Sequence, residues 1–437
     1  MLRSFDKPDL RDAKSPSPAS DNWRMLWIVG LGGCLEFYDF AVFLLFAGVL
    51  SEVFFPEGPA SWLSTLQLWG LFAAGYVFRP FGGLVLAHFG DIFGRKRVFA
   101  FSILLMATAT LGIALLPTYD MIGVGASFAL LLLRAAQGIA IGGEVPGAWV
   151  FAAEHMTRRN RGVACGAVCG GLAVGILLAL LTATAVMSAL TLEDVRQFGW
   201  RIPFLLGGLF GLISLRLRRM LMETPAFARS QGSKPLVVEL PVRSVIQAQR
   251  RALALSVVAT WILSASVVIS ALLLPRMLHD LYGYAHETAL IGSCVSTIVL
   301  AVGLIASGWL LDRIGIAAFF VAFGMFLAVS TIVFFNMGGA DAVQFYLFCV
   351  VIGLSGTIST GAPFLMVSAF PVAVRYTGVS FAYNITYAVI GGLTPVFITG
   401  ISYLVEPAHA YYLMGVGGIA VVLGAYLYLR PLPDLTD

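Results

Sequence analysis

The sequence is short of charge. Asp, Glu, Lys and Arg make up 11% of its 437 residues, against about 25% in an ordinary soluble domain. So few charges cannot coat a soluble core of this size, which excludes an ordinary water-soluble enzyme and a disordered chain. Cysteine and histidine are scarce too, with five of each. Cys34, Cys165, Cys169, Cys294 and Cys349 lie in apolar runs without zinc-ligand or paired-redox spacing. The histidines are dispersed. No metal cluster, nucleophile elbow or phosphate loop is present. The sequence therefore implies no enzyme, no metal and no cofactor. A net charge of +4 is too small to point to nucleic acid.

What is abundant is apolar. Hydrophobic residues account for 59% of the chain, and 47 glycines accompany them, a pairing that suits closely packed membrane helices. A spanning helix needs ~20 mostly apolar residues. Twelve such spans are expected at residues 25–50, 64–88, 98–117, 122–151, 162–188, 201–221, 252–276, 287–311, 316–337, 342–369, 377–403 and 408–430. Residues 1–24 read as a polar N-terminal tail without the apolar core of a removable signal. Residues 222–251, with Pro225, Gly232, Pro235 and Pro241, read as a linker between six-helix bundles at 25–221 and 252–430, and 431–437 read as a tail.

If the N-terminus is cytoplasmic, 22 of the 27 Lys and Arg residues fall on that side and only Arg196, Arg201 and Arg276 on the other. By the positive-inside rule both termini are cytoplasmic. The two halves echo each other: Gly90-Asp91-Ile92-Phe93-Gly94-Arg95-Lys96-Arg97 follows the second span, and Leu311-Asp312-Arg313-Ile314-Gly315 follows the eighth. Internal repeats of this kind are typical of transporters.

The segment from Gly83 to Arg97 resembles the loop signature of the major facilitator superfamily. The resemblance implies an all-α polytopic membrane protein of twelve helices in two six-helix bundles. It implies that Asp91, Arg95 and Lys96 form a conformational latch at the cytoplasmic face. The second copy, at Asp312, lacks two basic residues and is expected to latch more weakly.

Further blocks sharpen the match. Gly33-Cys34-Leu35-Glu36-Phe37-Tyr38-Asp39-Phe40, Arg79-Pro80-Phe81-Gly82-Gly83, Gln137-Gly138, Gly142-Gly143-Glu144, Gly199-Trp200-Arg201-Ile202-Pro203-Phe204, Glu223-Thr224-Pro225-Ala226-Phe227 and Arg375-Tyr376-Thr377-Gly378 resemble segments of the metabolite:proton symporter family. They run from the first span to the eleventh.

Five ionisable residues lie well inside the spans: Glu36, Asp39, Arg79, Arg134 and Glu144, all in the N-terminal half. Each costs on the order of 2.5–3.5 kcal/mol on insertion scales, which makes it a functional candidate. Glu36 and Asp39 are three apart and share a helix face. In related sugar–proton symporters an acidic first-helix residue after a Tyr pairs with a fourth-helix Arg, twenty residues before the Glu of a Glu…Arg-Gly motif. Arg134, Glu154 and Arg161-Gly162 keep that spacing, so the resemblance implies Asp39–Arg134 as a proton switch, with Glu154 and Arg161 in the gate. A buried carboxylate ionises beside a guanidinium and holds its proton when the two are parted.

Glu36 is the other proton candidate, or a ligand for a cationic solute group, or a second partner of Arg134. Arg79 is a candidate for a solute carboxylate, which guanidinium grips bidentately, or a counter-ion for Glu36 or Glu144. Glu144 reads as a relay or inner gate, or as a packing residue. Tyr38, and Tyr383, Asn384 and Tyr387 on one face of the eleventh span, are further solute candidates. Hydroxyls at Ser355, Thr357, Ser359 and Thr360 add polar groups in the tenth.

The expected function is proton-coupled import of a small polar metabolite, an organic acid or a zwitterion such as proline or betaine. Two buried arginines tilt the expectation toward an anion. The proton gradient is the driving force, and the partners are solute, protons and lipid. The expected setting is a bacterial inner membrane, with the protein acting as a monomer. A proton-antiport exporter of a drug or metabolite is the alternative. Gly162, Gly166, Gly170 and Gly171 match that class's glycine run in the fifth span, but Ala167 stands where its Pro would be.

Overall fold

A computed structural model describes residues 19–55, 70, 73–93, 95–218, 241–402, 405 and 407–432. The side chains of Asp91, Arg95 and Lys96, most of the N-terminal tail, residues 219–240 of the expected linker and 433–437 lie outside the described residues.

The chain is all-α, with twelve spans. α1 runs Ala19–Leu45 and continues as Ala47–Phe54. α2 contains Arg79–Phe93, and α3 is Arg95–Leu115. α4 is Val124–His155, α5 Arg161–Ala189 and α6 Arg201–Arg218. In the second half α7 is Arg250–Val267, prolonged through Val268–Leu272 to Leu274–Asp280, and α8 is His286–Ile314. α9 is Ile316–Ser330 with Ile332–Asn336, and α10 is Ala342–Ser355 through Gly356–Thr360 to Gly361–Ala369. α11 is Arg375–Thr386 through Tyr387–Gly391 to Gly392–Ser402, and α12 is Ala408–Leu429.

Among the described residues, eight of these helices are long and apolar enough to cross a bilayer, and α6 joins the preceding short helix as a span bent by 43°. α11 falls short because its first segment is polar: Arg375, Tyr376, Thr377, Ser380, Tyr383 and Asn384 are all buried against other helices. Outward faces carry apolar side chains such as Phe128, Val302, Val329 and Val422, each more than 60% exposed, as a lipid-facing surface requires. Part of the expected linker is ordered differently: Pro241–Ala248 is helical, and α7 starts at Arg250.

Four departures from α geometry share one cause. The π-turns Val195–Gly199, Val268–Leu272 and Tyr387–Gly391 and the 3-10 stretch Gly356–Thr360 each contain the residue four before a proline: Gly199 before Pro203, Ala271 before Pro275, Gly391 before Pro395 and Ser359 before Pro363. Proline lacks the N–H that would close the i→i−4 bond, and its ring crowds that carbonyl, so the helix rewinds locally.

Within each half, α1 packs on α5, α3 on α6 and α9 on α12. The halves meet chiefly through α5 with α8 and α2 with α11. The α5–α8 crossing explains the glycine run of the fifth span. A Cβ at Gly162 would lie 2.4 Å from the carbonyl oxygen of Gly308, and one at Gly166 would lie 2.4 Å from that of Leu304. Only glycine permits that backbone approach, so packing accounts for the near-match to the exporter signature.

Candidate functional site

The five intramembrane charges are buried in the structure, with Arg79 and Arg134 fully so. They form two neighbouring centres.

The first is built around Arg79 at the head of α2. Its guanidinium lies 4.7 Å from the ring centre of Tyr387 and 5.7 Å from that of Tyr383, both on α11. Tyr76 is 5.2 Å away and Phe40 of α1 5.4 Å away. The rings stabilise the cation through their quadrupoles. They do not satisfy its donors: none of the three guanidinium nitrogens has a hydrogen-bond partner. A buried guanidinium with five idle N–H groups is costly unless something supplies acceptors.

Next to it is a central cavity of about 30 Å³, walled by Phe37, Trp149, Tyr383 and Tyr387 together with residues of α5, α7, α8 and α10. That is room for about one water molecule. Trp149 and Tyr383 meet edge to face at 4.9 Å. Glu36, also buried, is an electrostatic neighbour of Tyr383. The walls are thus an aromatic and apolar box, and the Arg79 guanidinium and the Glu36 carboxylate stand behind it as neighbours of Tyr383.

The second centre corrects the expected pair. Asp39 and Arg134 make no direct ion pair. Arg134 Nη1 donates to Gln137 Oε1 at 3.0 Å, Gln137 Nε2 donates to Thr110 Oγ1 at 2.9 Å, and Thr110 donates to Asp39 Oδ2 at 3.0 Å. The guanidinium lies 3.8 Å from the ring centre of Phe43. The arginine does reach α1, but it meets the ring faces of Phe43 and Phe40 there and gives its one hydrogen bond to its own-helix neighbour Gln137. Arg134 is thus held through Nη1 alone, its Nε and Nη2 having no hydrogen-bond partner, while Arg79 has none at any of its three nitrogens. Glu36 and Asp39, three apart on α1, also diverge, toward α11 and toward α3 and α6 respectively.

Several other sequence candidates sit elsewhere than expected. Tyr38 donates to the Pro203 carbonyl at 3.1 Å and packs edge to face on Phe210, so it belongs to the α1–α6 contact rather than the cavity wall. Asn384 Nδ2 donates to the Gly142 carbonyl at 2.6 Å. Gly142 is four before Pro146, inside α4, so its carbonyl lacks the usual helical donor. The other half of the molecule supplies one. Ser355, Thr357 and Ser359 return their hydroxyls to carbonyls three residues back, and Thr360 bonds the Leu304 carbonyl. They are satisfied within the bundle.

One end of the molecule, where Arg161, Arg313 and Arg375 lie among the described residues, is joined across the two halves by polar contacts. Asp312 accepts from the backbone N–H groups of Gly162 and Val163 at 2.7 and 2.9 Å, capping α5 from α8. Arg161 opens that same helix. The second repeat was expected to latch weakly; the structure gives it a two-point bond, because a helix N-terminus offers free N–H groups and a positive dipole end to a carboxylate. Arg375 of α11 lies 3.6 Å from Glu154 of α4. Tyr376 donates to Gly143 O at 2.7 Å and Ser380 to Gly83 O at 3.2 Å. Glu144 accepts from Ser102 of α3 at 3.4 Å. Sequence reasoning missed Thr110, Gln137 as a bridge, and Arg375 as the partner of Glu154. Gln137 and Arg375 stand in family-like blocks; Thr110 carries no local signal.

At the opposite end a cavity of about 550 Å³ lies between the halves, lined by Glu52, Arg196, Arg276, His279, Asp280 and His286 among others. Its charges pair within each half, Arg196 with Glu52 at 2.7 Å and Arg276 with Asp280 at 2.9 Å.

Comparison with known proteins agrees with this architecture. The Major Facilitator Superfamily profile matches residues 29–395. A proline/betaine transporter of Salmonella typhimurium is 30% identical, with 92% of this chain and 82% of the relative aligned. An ectoine/proline transporter of Corynebacterium glutamicum is 30% identical over 92% of this chain and 84% of its own. Among solved structures, a proton:xylose symporter bound to 6-bromo-6-deoxy-D-glucose superposes with a TM-score of 0.79 at 16% identity, covering 95% of this chain and 96% of the other. The xylose transporter of Escherichia coli in an inward-open conformation gives 0.69 at 15% identity, over 94% and 97%. These two share the fold. The chain belongs to the Major Facilitator Superfamily, and its motifs and relatives place it in the metabolite:proton symporter family as a multi-pass membrane transporter.

Proposed function

We propose that this transporter imports a small zwitterion of the proline or betaine kind together with a proton. The observation that carries the reading is Arg79, fully buried, without a hydrogen-bond partner and framed by four aromatic rings beside the central cavity. A solute carboxylate supplies the missing acceptors bidentately. The solute's cationic group then lies in the box of Phe37, Trp149 and Tyr383, with Glu36 as counter-charge. Arg79 among its rings, with the Glu36 carboxylate also a neighbour of Tyr383, suits a zwitterion better than a polyvalent organic acid. The names of the relatives point the same way.

Asp39 carries the proton and Arg134 sets its affinity. The cycle is alternating access: the end held by Asp312, Glu154 and Arg375 opens as the opposite cavity closes. Asp91, Arg95, Lys96 and Arg161 complete the latch, and Glu144 braces α4 against α3. We place both termini, and the latched end, in the cytoplasm of a bacterium, with the protein in the inner membrane as a monomer, on the strength of the basic-residue asymmetry. The unit boundaries proposed from sequence are 25–221 and 252–430.

The test is uptake of labelled L-proline, glycine betaine and citrate into proteoliposomes with an imposed pH gradient. Concentrative uptake of a zwitterion only when the outside is acidic is expected. Uptake that ignores the gradient rejects symport. Loss of preloaded solute driven by an inward proton gradient supports export instead.

A further inference from the structure

The chain of bonds between Arg134 and Asp39 has a direction, and the chemistry of its members dictates it. A guanidinium only donates. Gln137 must therefore turn Oε1 toward Arg134, 3.0 Å away. Its amide N–H₂ then faces Thr110 at 2.9 Å, so the threonine oxygen accepts. The threonine hydrogen is left to point at Asp39 Oδ2, 3.0 Å away. Every donor is aimed from the arginine to the carboxylate. The three bonds join α4, α3 and α1, and each polar group in them is buried.

The two oxygens of Asp39 are consequently unlike. Oδ2 receives the threonine hydrogen. Oδ1 has no hydrogen-bond partner and rests on α6, where a Cβ built on Gly207 would lie 2.0 Å from it. Among the described residues, the surroundings of Asp39 are otherwise uncharged. α3 presents Thr110 and α6 presents Gly207. From α4 the nearest charge is Arg134, reached through Gln137. On α1 itself Tyr38 is adjacent and Glu36 lies three residues earlier.

We infer that Thr110 and Gln137 are positioning residues for proton coupling: they carry the influence of Arg134 to Asp39 Oδ2 and leave Oδ1 as the atom that takes the transported proton. A hydronium ion gives up one O–H bond and becomes water as the new O–H bond forms at Oδ1 and the carboxylate is neutralised; no relay bond has to break. A directed chain of this kind holds the ionised carboxylate without a direct ion pair. The arginine stays on α4 while the proton comes and goes on α1. This rests on the reading that Asp39 is the proton carrier.

The test is the external-pH profile of gradient-driven L-proline or glycine betaine uptake in proteoliposomes, using whichever the wild type accumulates. Thr110→Val removes the donor at nearly constant volume, so Asp39 holds its proton to higher pH. The half-maximal point is expected to move up by about one to two pH units. Gln137→Leu moves it in the same direction. The double variant moves it no further than the larger single change, because both cut one chain. Thr110→Ser restores the wild-type profile. A monodisperse elution profile checks folding, and Thr110→Ala repeats the measurement if the valine variant does not purify. A wild-type profile for Thr110→Val or Thr110→Ala, or additive shifts in the double variant, overturns the relay. Asp39→Asn separates the two ideas. If that variant still accumulates solute uphill, the proton-carrier reading itself falls. If it loses accumulation while the threonine variants are unchanged, only the relay falls.

Discussion

The rings of Tyr76 and Tyr387 stack across the two halves of the molecule, 5.6 Å apart and 5° from parallel. Arg79 lies against both rings. An aromatic pair in this arrangement is worth about 0.5–1.5 kcal/mol beyond its burial. It therefore holds the halves together at the level of the cavity while keeping the guanidinium in place. A solute bound at Arg79 would rest against this stack, and so against both halves at once.

The role of Arg79 is checked by Arg79→Lys. Lysine keeps the charge but loses the planar fork. If a solute carboxylate is bound bidentately, affinity falls by about 10- to 100-fold, corresponding to ~1.5–3 kcal/mol for bonds to a charged group. Competition assays add a second readout. Choline, which lacks the carboxylate of glycine betaine, is expected to compete poorly with wild type and to lose little further against the variant. Equal losses for both would remove the carboxylate from the account.

Proton coupling is checked by Asp39→Asn. Asparagine keeps the size of the side chain and still accepts from Thr110, but it cannot take up and release a proton. Uphill accumulation driven by a pH gradient should vanish, while exchange of labelled for unlabelled solute continues. Normal concentrative uptake by the variant would return Glu36 to first place.

Gly207→Ala should disturb the same step without touching a charged residue. The added methyl would sit 2.0 Å from Asp39 Oδ1 and 3.0 Å from the Thr110 methyl carbon. The nearest clash is with the end of a side chain, so Asp39 shifts while the backbone stays. Alanine also favours the helix by about 1 kcal/mol over glycine, so thermal stability should change little while coupling is impaired. The neighbouring Gly208→Ala meets Leu111 instead, at 2.2 Å, and serves as a control that leaves the pH dependence alone.

Asp312→Asn tests the latch. An amide offers one acceptor oxygen where the carboxylate serves two N–H groups at 2.7 and 2.9 Å. It also loses the charge favoured at a helix N-terminus. A change of about 1–2 kcal/mol alters the ratio of the two conformations by roughly 5- to 30-fold. Cys165 is a native reporter. It is buried and an electrostatic neighbour of both Asp312 and Arg161. In a protein whose other four cysteines are replaced by alanine, its rate of alkylation should rise by a similar factor. No change would mean that Glu154 and Arg375 hold the closed end unaided.

Much of this molecule is visible without coordinates because the bilayer imposes simple arithmetic. Apolar runs of fixed length revealed the spans, and the rarity of intramembrane charge singled out Glu36, Asp39, Arg79, Arg134 and Glu144. Partners were harder to read. Asp39 and Arg134 were matched by spacing, yet Gln137 and Thr110 stand between them; a threonine in an apolar run looks like any other packing residue. Asn384 was placed on a solute-facing surface by helical periodicity. It instead answers a carbonyl that Pro146 leaves open on another helix, a relation spread over more than two hundred residues.

The sequence by itself determined the class of protein, the number of spans and which few charges must be buried. Hydropathy, length and the cost of desolvating a charge are properties of short segments, so they survive in one dimension. Tertiary structure decided which buried group meets which. Arg134 meets Gln137 through one nitrogen, Arg79 keeps all its donors idle, and Asp312 caps a helix in the other half. Hydrogen bonds act over about 3 Å, and periodicity places residues on helix faces only to within a turn, so partners become definite only when the helices pack.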